Sequence, residues 1–182
     1  MYGVIFDFLR NYVIDRHGGL ETWHALLKAS GQSPHKIYFP TGEYPDEEIV
    51  ALAKSASEAL SLPLADVLED FGTFVGPSLL SFYHMYAGNP EWKTFDVIEN
   101  ASGRIHDVIH KHNPNRKPPL LKANRLSNNE MIVTYRSERK MCPVVRGIIR
   151  GMADHFRESF AIDEKACMYH GAPECVFRVT RQ

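Results

Sequence analysis

The sequence lacks several features, and each lack narrows what the chain can be. No apolar run approaches the length of a membrane span, so a membrane partner has no support. The formal net charge is only -1 over 182 residues, which gives no basic excess for nucleic acid or an acidic lipid surface. Cysteine is scarce and odd in number, 3 in all, which does not make a secreted disulfide framework. The start, Met1-Tyr2-Gly3-Val4, has neither the basic region nor the small-residue cleavage site of a signal peptide. These features lead us to expect a cytoplasmic protein with reduced thiols. There is no repeat, low-complexity segment or H-E-x-x-H metal motif. No base and orienting carboxylate gather around Cys142, so nothing supports a thiol enzyme, and we expect no catalysis.

What is present suits one sizeable core: 44% apolar and 24% charged residues are ordinary proportions for a globular domain. Val4, Ile5, Phe8, Leu9, Tyr12 and Val13 recur at helical spacing before Gly18-Gly19. Glu21 to Ala29 reads as a second helix. The connector from Gln32 to Tyr44 leaves room for a short strand at Lys36 to Phe39. Asp46 is placed to cap a helix reaching about Leu62. Pro63 permits a new helix, which Gly76-Pro77 should interrupt before Leu79 to Tyr86 resumes it. Glu91 to His112 is the longest helical stretch. Its inner stripe is Phe95, Ile98, Ser102, Ile105 and Ile109.

From Asn113 the character changes. After a proline-rich, basic stretch, Leu120 to Leu126 and Met131 to Ser137 read as a hairpin around Ser127-Asn128-Asn129. Val144 to Phe160 reads as a helix. Ala161 to Met168 and Cys175 to Thr180 read as a second hairpin. Helices followed by a strand-rich end predict an α+β fold with a small antiparallel sheet backed by helices. The division expected is a helical part at about 1–62 and a second part at about 63–182.

Tyr135-Arg136-Ser137-Glu138-Arg139 closes the Met131 strand. Strand alternation puts Tyr135, Ser137 and Arg139 on one face. A phenol, a hydroxyl and a guanidinium suit an anion with several oxygens, such as carboxylates or phosphate. The alternative is a solvated strand end.

On the long helix, His106 sits beside Ile105 and Ile109, with Ser102 and Gly103 one turn earlier leaving room for a flat group. A neutral imidazole there is able to ligate porphyrin iron, or it is an ordinary core histidine. His110 and His112 read as solvated residues near a helix end. Cys142, Cys167 and Cys175 come from two segments and are able to meet around zinc with one further N or O ligand. A metal-free thiol switch and inert cysteines remain the alternatives.

Ile105-His106-Asp107-Val108-Ile109-His110, followed about thirty residues later by Tyr135-x-Ser137-x-Arg139, resembles the H-NOX family. This is the haem nitric oxide/oxygen-binding domain of bacterial sensors and soluble guanylate cyclase. Met1-Tyr2-Gly3, Phe71-Gly72, Pro118-Pro119 and Gly147 also fit, and the resemblance covers essentially all 182 residues. It implies the H-NOX fold, with haem b buried between helices and sheet and His106 as proximal ligand. Tyr135, Ser137 and Arg139 become the clamp on the haem propionates. Pro119, or failing that Pro118, becomes the residue that presses on the porphyrin; its other reading is a rigid turn before the strand. Ile5, Leu9, Phe74 and Leu80 become pocket walls or, each taken singly, ordinary core.

Family members that hold oxygen resemble one another in a tyrosine five residues past the motif's arginine. Here that position is Val144, and Gly147 keeps the spacing. The resemblance therefore implies a sensor that binds NO at ferrous haem and excludes oxygen. NO would weaken the iron–His106 bond and free the helix. Stand-alone bacterial relatives pass the signal to a histidine kinase or a cyclic-di-GMP enzyme. Some also hold zinc with three cysteines and a histidine. The matching fourth position here is Glu164, so the expected ligand is Glu164 or, from the hairpin turn, His170.

Overall fold

The computed structural model of the chain describes residues 1–87, 89, 91–102 and 119–182, with 82–87 as helical backbone only. The N-terminal half is helical: α1 (Gly3–Arg16), α2 (Gly19–Ala29), α3 (Asp46–Leu60) and α4 (Leu64–Ala87). α5 (Thr94–Asn100) leads to the hairpin of β1 (Leu120–Ser127) and β2 (Glu130–Arg136). Then follow α6 (Cys142–Phe156), β3 (Phe160–Ala166) and β4 (Cys175–Arg181), with a short 3-10 turn at Met168–His170. The sheet is antiparallel with order β1-β2-β4-β3. The fold is the expected α+β arrangement, and the described residues form two apolar cores. Phe6, Leu9, Tyr12 and Val13 of α1 join Trp23, Leu27, Leu52, Phe71 and Val75 in the first. The second gathers the inward face of the sheet (Met131, Val133, Tyr135, Phe177, Val179) under Phe95 and Ile98 of α5 and Ile149 and Met152 of α6.

Several boundaries differ from the sequence expectation for identifiable reasons. α4 runs unbroken through Pro77. An interior proline costs a helix about 3 kcal/mol. Here Val67, Phe71 and Val75 anchor the helix in the first core and Gly72 and Gly76 seat it on α6, so packing outweighs the missing hydrogen bond. α6 begins at Cys142, with Pro143 in its first turn, and ends where Arg157 turns left-handed (φ 55). Phe160 therefore starts β3 rather than ending a helix. Lys36 to Phe39 forms no strand; the bridge nearby is Tyr2 with Glu43. The long helix begins at Thr94, because Glu91 and Trp92 donate their N–H groups to Asn89 in a turn. Its extent beyond Ser102, with Ile105, His106, Ile109, His110 and His112, lies outside the described residues.

α5 is pinned to the sheet by charge. Asp96 accepts the Lys93 backbone N–H, closing the first turn. Arg125 of β1 reaches Asp96 at 2.7 Å and Glu99 at 2.9 Å. Glu158 accepts from the Thr94 N–H and from Arg181. The start of the helix that would carry His106 is thus tied to both β1 and β4.

α4 and α6 meet backbone to backbone. Gly72 and Gly76 on one helix face Gly147 and Gly151 on the other. A Cβ on Gly147 would stand 2.0 Å from the Glu69 carbonyl oxygen, and one on Gly151 would stand 2.1 Å from that of Thr73. Arg146 and Arg150 close the same seam through Glu69. Helix propensity alone would favour alanine over glycine by ~1 kcal/mol. Overpacking costs ~1–3 kcal/mol and must be relieved here by moving backbone, so the clash should win. We expect Gly147→Ala to lower the unfolding free energy in urea by ~1–3 kcal/mol. A gain in stability would show that the helices do not rely on this contact.

Candidate functional site

β2 ends at Arg136, not at Ser137 as alternation suggested. Ser137 to Lys140 make a turn closed by the Lys140 N–H on the Ser137 carbonyl, with Lys140 at φ 50. The alternation of burial nevertheless carries through the turn. Tyr135 and Ser137 are buried and the Arg139 side chain is 14% exposed, while Arg136 and Glu138 face solvent. All three predicted donors therefore stand on the inner side. The Met141 N–H donates to the Tyr135 hydroxyl at 3.2 Å, and the Arg139 N–H to Ser137 Oγ at 3.3 Å. Burial pushes the Tyr135 phenol up; Ser137, the Met141 N–H and the Arg139 charge oppose this without reversing it. The phenol thus keeps its proton and remains a donor.

Arg139 Nη1 donates to Asp46 Oδ2 at 2.7 Å, across 93 residues of sequence. The Met1 α-amino group donates to the other carboxylate oxygen at 2.8 Å and to the Tyr44 carbonyl at 2.7 Å. Asp46 is the first residue of α3, and its side chain makes no helix cap. The expected cap at Asp46 is instead a link to Arg139. An acidic residue at a helix start signals a cap more readily than a partner in a distant turn.

The apolar residues expected as pocket walls pack into the two cores. Ile5 and Leu9 of α1, Phe74 of α4 and Val144 in the first turn of α6 pack on the first core, and Leu80 of α4 on the second. Leu9 is 6% exposed; Ile5, Phe74, Leu80 and Val144 are only half-buried. Met141 and Ile148 touch both cores. Pro119, half-buried, immediately precedes β1. Pro118 and His106 lie outside the described residues.

The three thiols do converge. Cys142 opens α6, Cys167 follows β3 and Cys175 opens β4; all are buried and unpaired by disulfides. Cys142 Sγ and Cys167 Sγ are 3.9 Å apart, and the Met168 N–H donates to Cys175 Sγ at 3.2 Å. One carboxylate oxygen of Glu164 joins them, all four ligand atoms lying within 4.8 Å of one another. Glu164 comes from the irregular step of β3, where the register shifts between Glu164 and Ala166. His170 is exposed in the 3-10 turn, outside that group. Burial raises the Cys142 thiol, and its hydrogen bond and charge coupling to Cys175 raise it further. Burial raises Cys167 as well. Several thiolates cannot coexist here unaided; a divalent cation is what would hold them ionised.

Register joins the thiols to the strand that leads into the 135–139 turn. Tyr135 of β2 lies directly opposite Cys175 of β4.

Comparison with known proteins decides what the arrangement belongs to. Residues 2–164 match the Haem-NO-binding family. The chain belongs to this family, the H-NOX proteins. It is 23% identical over 183 aligned residues to the soluble guanylate cyclase gcy-31 of Caenorhabditis elegans, covering 93% of this chain. The chain spans about a quarter of that relative, 24% of its length. An H-NOX protein of S. oneidensis, solved in its Fe(II)NO state, is 25% identical and superimposes with a TM-score of 0.88. The match covers 100% of this chain and 99% of that one. An oxygen-binding H-NOX domain, solved as its oxygen complex, shares the fold with a TM-score of 0.85 at 19% identity. That match covers 100% of this chain and 95% of the other. The H-NOX family binds haem and senses diatomic gas, and its domains are sensors rather than catalysts.

The donor set in this chain fits such a cofactor. Haem presents two carboxylates and a broad apolar face. The inner side of the 135–139 turn offers a neutral phenol, a hydroxyl and a guanidinium. A guanidinium carries five N–H donors, so a carboxylate on Nη1 is compatible with a second anion.

Burial alone would raise the Asp46 carboxyl. The hydrogen bonds and charges of the Met1 amino group and Arg139 outweigh it, so its pKa lies below the usual carboxylate value. A depressed folded-state pKa contributes stability above the unfolded value of about 4, lost as pH falls through the folded one. The stability gap between the native chain and Asp46→Asn should therefore be full above about pH 4 and close at lower pH. Denaturation midpoints measured across pH 2 to 6 test this; a constant gap would mean that the ion pair adds nothing.

Proposed function

We propose that this chain senses nitric oxide at ferrous haem b and passes the signal to a separate effector. Its own residues would divide the work. His106 ligates the iron. Arg139, Tyr135 and Ser137 hold the propionates, the guanidinium most strongly because it alone carries charge. Pro119 would press on the porphyrin where the chain enters β1. Ile5, Leu9, Phe74, Leu80 and Val144 exclude water. Bound haem supplies an iron position open to a diatomic gas.

The observation that carries NO over oxygen is the chemistry of the walls. Bound oxygen gains from a distal hydrogen-bond donor, whereas NO binds ferrous haem without one. None of the five proposed wall side chains is a donor. The buried hydroxyl that α1 does supply, Tyr12, is already donated to Asp70 at 2.5 Å. Burial and that carboxylate raise the Tyr12 pKa strongly, so the hydroxyl stays protonated and engaged.

The effector is expected to be a histidine kinase or a cyclic-di-GMP enzyme, on family resemblance. The same resemblance supports a bacterial protein. The three free thiols support a reducing, cytoplasmic setting. We place the division of the fold near residue 62, with α4 packed against both parts. A second reading, a thiol- or zinc-responsive input, is favoured by one observation: the convergence of Cys142, Cys167, Cys175 and Glu164. Three thiolates and a carboxylate would give zinc a closed tetrahedral set.

The purified ferrous protein should show a haem Soret band that shifts with NO and stays unchanged in air. His106→Gly should remove the axial bond while the fold survives. Val144→Tyr should raise oxygen affinity. Stable oxygen binding by the unmodified protein would sink the NO assignment. Metal analysis of freshly reduced protein should find about one zinc per chain; a value near zero would leave the thiols as a redox pair or as plain core.

A further inference from the structure

Three of the five buried side-chain polar atoms without a partner among the described residues gather at the start of α5. They are Thr94 Oγ1, Arg125 Nε and Arg181 Nε. Both guanidiniums lie over the ring of buried Phe95, 5.5 and 5.6 Å from its centroid. Each reaches its carboxylates through Nη2: Arg125 those of Asp96 and Glu99, Arg181 that of Glu158. Glu158 in turn accepts the Thr94 N–H. A buried donor left unpaired costs stability. Where a fold breaks that rule, a functional constraint is the usual reason.

Arg125 differs from Arg181 in what it grips. Asp96 and Glu99 stand three residues apart on one face of α5, so a single guanidinium spans successive turns. Arg125 is also the last regular residue of β1, paired with Met131 just before the register shifts. Met131 belongs to β2, the strand that leads through Tyr135 to the proposed clamp. One side chain therefore ties α5 to the hairpin that would hold the propionates. Burial alone would raise the Asp96 carboxyl; the Lys93 N–H and the Arg125 guanidinium outweigh it, so this pin stays charged. Immediately beyond the pin the helix changes. Regular α geometry ends at Asn100, and Ala101 and Ser102 take a π turn. The Asn100 side chain donates to the Asp96 carbonyl at 2.9 Å, and Ser102 Oγ to that of Glu99 at 2.8 Å. Turns of this kind in helices recur at functional sites. His106 follows four residues after Ser102.

We propose that Arg125 is a positioning residue for the bond between His106 and iron: it holds α5 on the sheet, so that the π turn at Ala101 and Ser102 takes up the motion when gas binds. This rests on the gas-sensor reading. A helix held at its start cannot follow a ligated metal drawn toward a gas on the opposite face. The load then falls on the His106 bond and favours its release. A helix freed from β1 follows the metal and keeps the bond.

The test compares the full chain as purified with Arg125→Ala, Arg125→Lys and Glu99→Gln. Electron paramagnetic resonance of the ferrous protein under NO distinguishes chains that keep the His106 bond, through the splitting from its nitrogen, from chains that lose it. The ratio of kept to lost should rise by about three- to fivefold in Arg125→Ala, the range that a partly buried ion pair provides. Glu99→Gln, which leaves the cap at Asp96 intact, should move it the same way by less, and Arg125→Lys should restore part of the native ratio. Arg178→Ala, which removes an ion pair with Glu130 elsewhere on the sheet, should leave it unchanged. Before gas is added, amide hydrogen exchange over 94–100 should quicken in Arg125→Ala and not in Arg178→Ala. A native ratio in both Arg125→Ala and Glu99→Gln overturns the proposal. So does unchanged exchange in α5, or an equal rise in Arg178→Ala. A chain that takes up no haem overturns the gas reading and this proposal with it; haem bound through His106 with a native ratio in the variants overturns this proposal alone.

Discussion

The close approach of α4 to α6 is the constraint on which the rest of the structure depends. Four glycines let two helix backbones touch where any larger side chain would hold them apart. α4 carries Phe74 and Leu80, and α6 carries Val144 and begins at Cys142. The spacing between these apolar residues and the position of the first thiol are therefore set by one seam without side chains. Such a contact is stiff because it has no rotamers to adjust. The two cores meet at the same seam, with Met141 and Ile148 shared between them.

Polar pins then fix what packing leaves loose. The Asp46 carboxylate ties α3 to the turn that carries Arg139, and Arg125 ties β1 to α5. Both pins are only partly buried, so each contributes orientation more than stability. That orientation matters for the three donors of the proposed clamp, two of which lie beyond the end of the strand. Ser137 and Arg139 sit in a turn whose geometry depends on Lys140 adopting φ 50.

Local pattern made much of this legible. The alternation in Met131 to Tyr135 predicts a buried strand face, and the heavy turn residues at Asn128-Asn129 predict its hairpin. The inward side of Tyr135, Ser137 and Arg139 was visible in the same way, although the strand itself stops earlier. Misses arose where a distant partner decided the outcome. Pro77 reads as a break only when α6 is unknown. Phe160 continues an apolar pattern that the left-handed Arg157 has already ended. Asp46 reads as a cap because its true partner is 93 residues away. The thiols' spacing suggested that they meet, but only the fold sets Glu164 beside them and leaves His170 exposed.

Tyr135 and Cys175 occupy one rung of the sheet, a phenol of the proposed haem clamp facing a thiol of the buried cluster. Two sites that share a rung cannot be titrated independently if occupancy of either shifts that rung. Any change in what the sulfurs hold, whether protons, a cation or a new sulfur–sulfur bond, would then alter the free energy of filling the neighbouring site. By reciprocity, filling that site would alter the affinity or redox balance of the sulfurs by the same amount. Gas affinity would consequently be a property of a defined thiol state, and preparations that differ in sulfur chemistry would behave as different sensors.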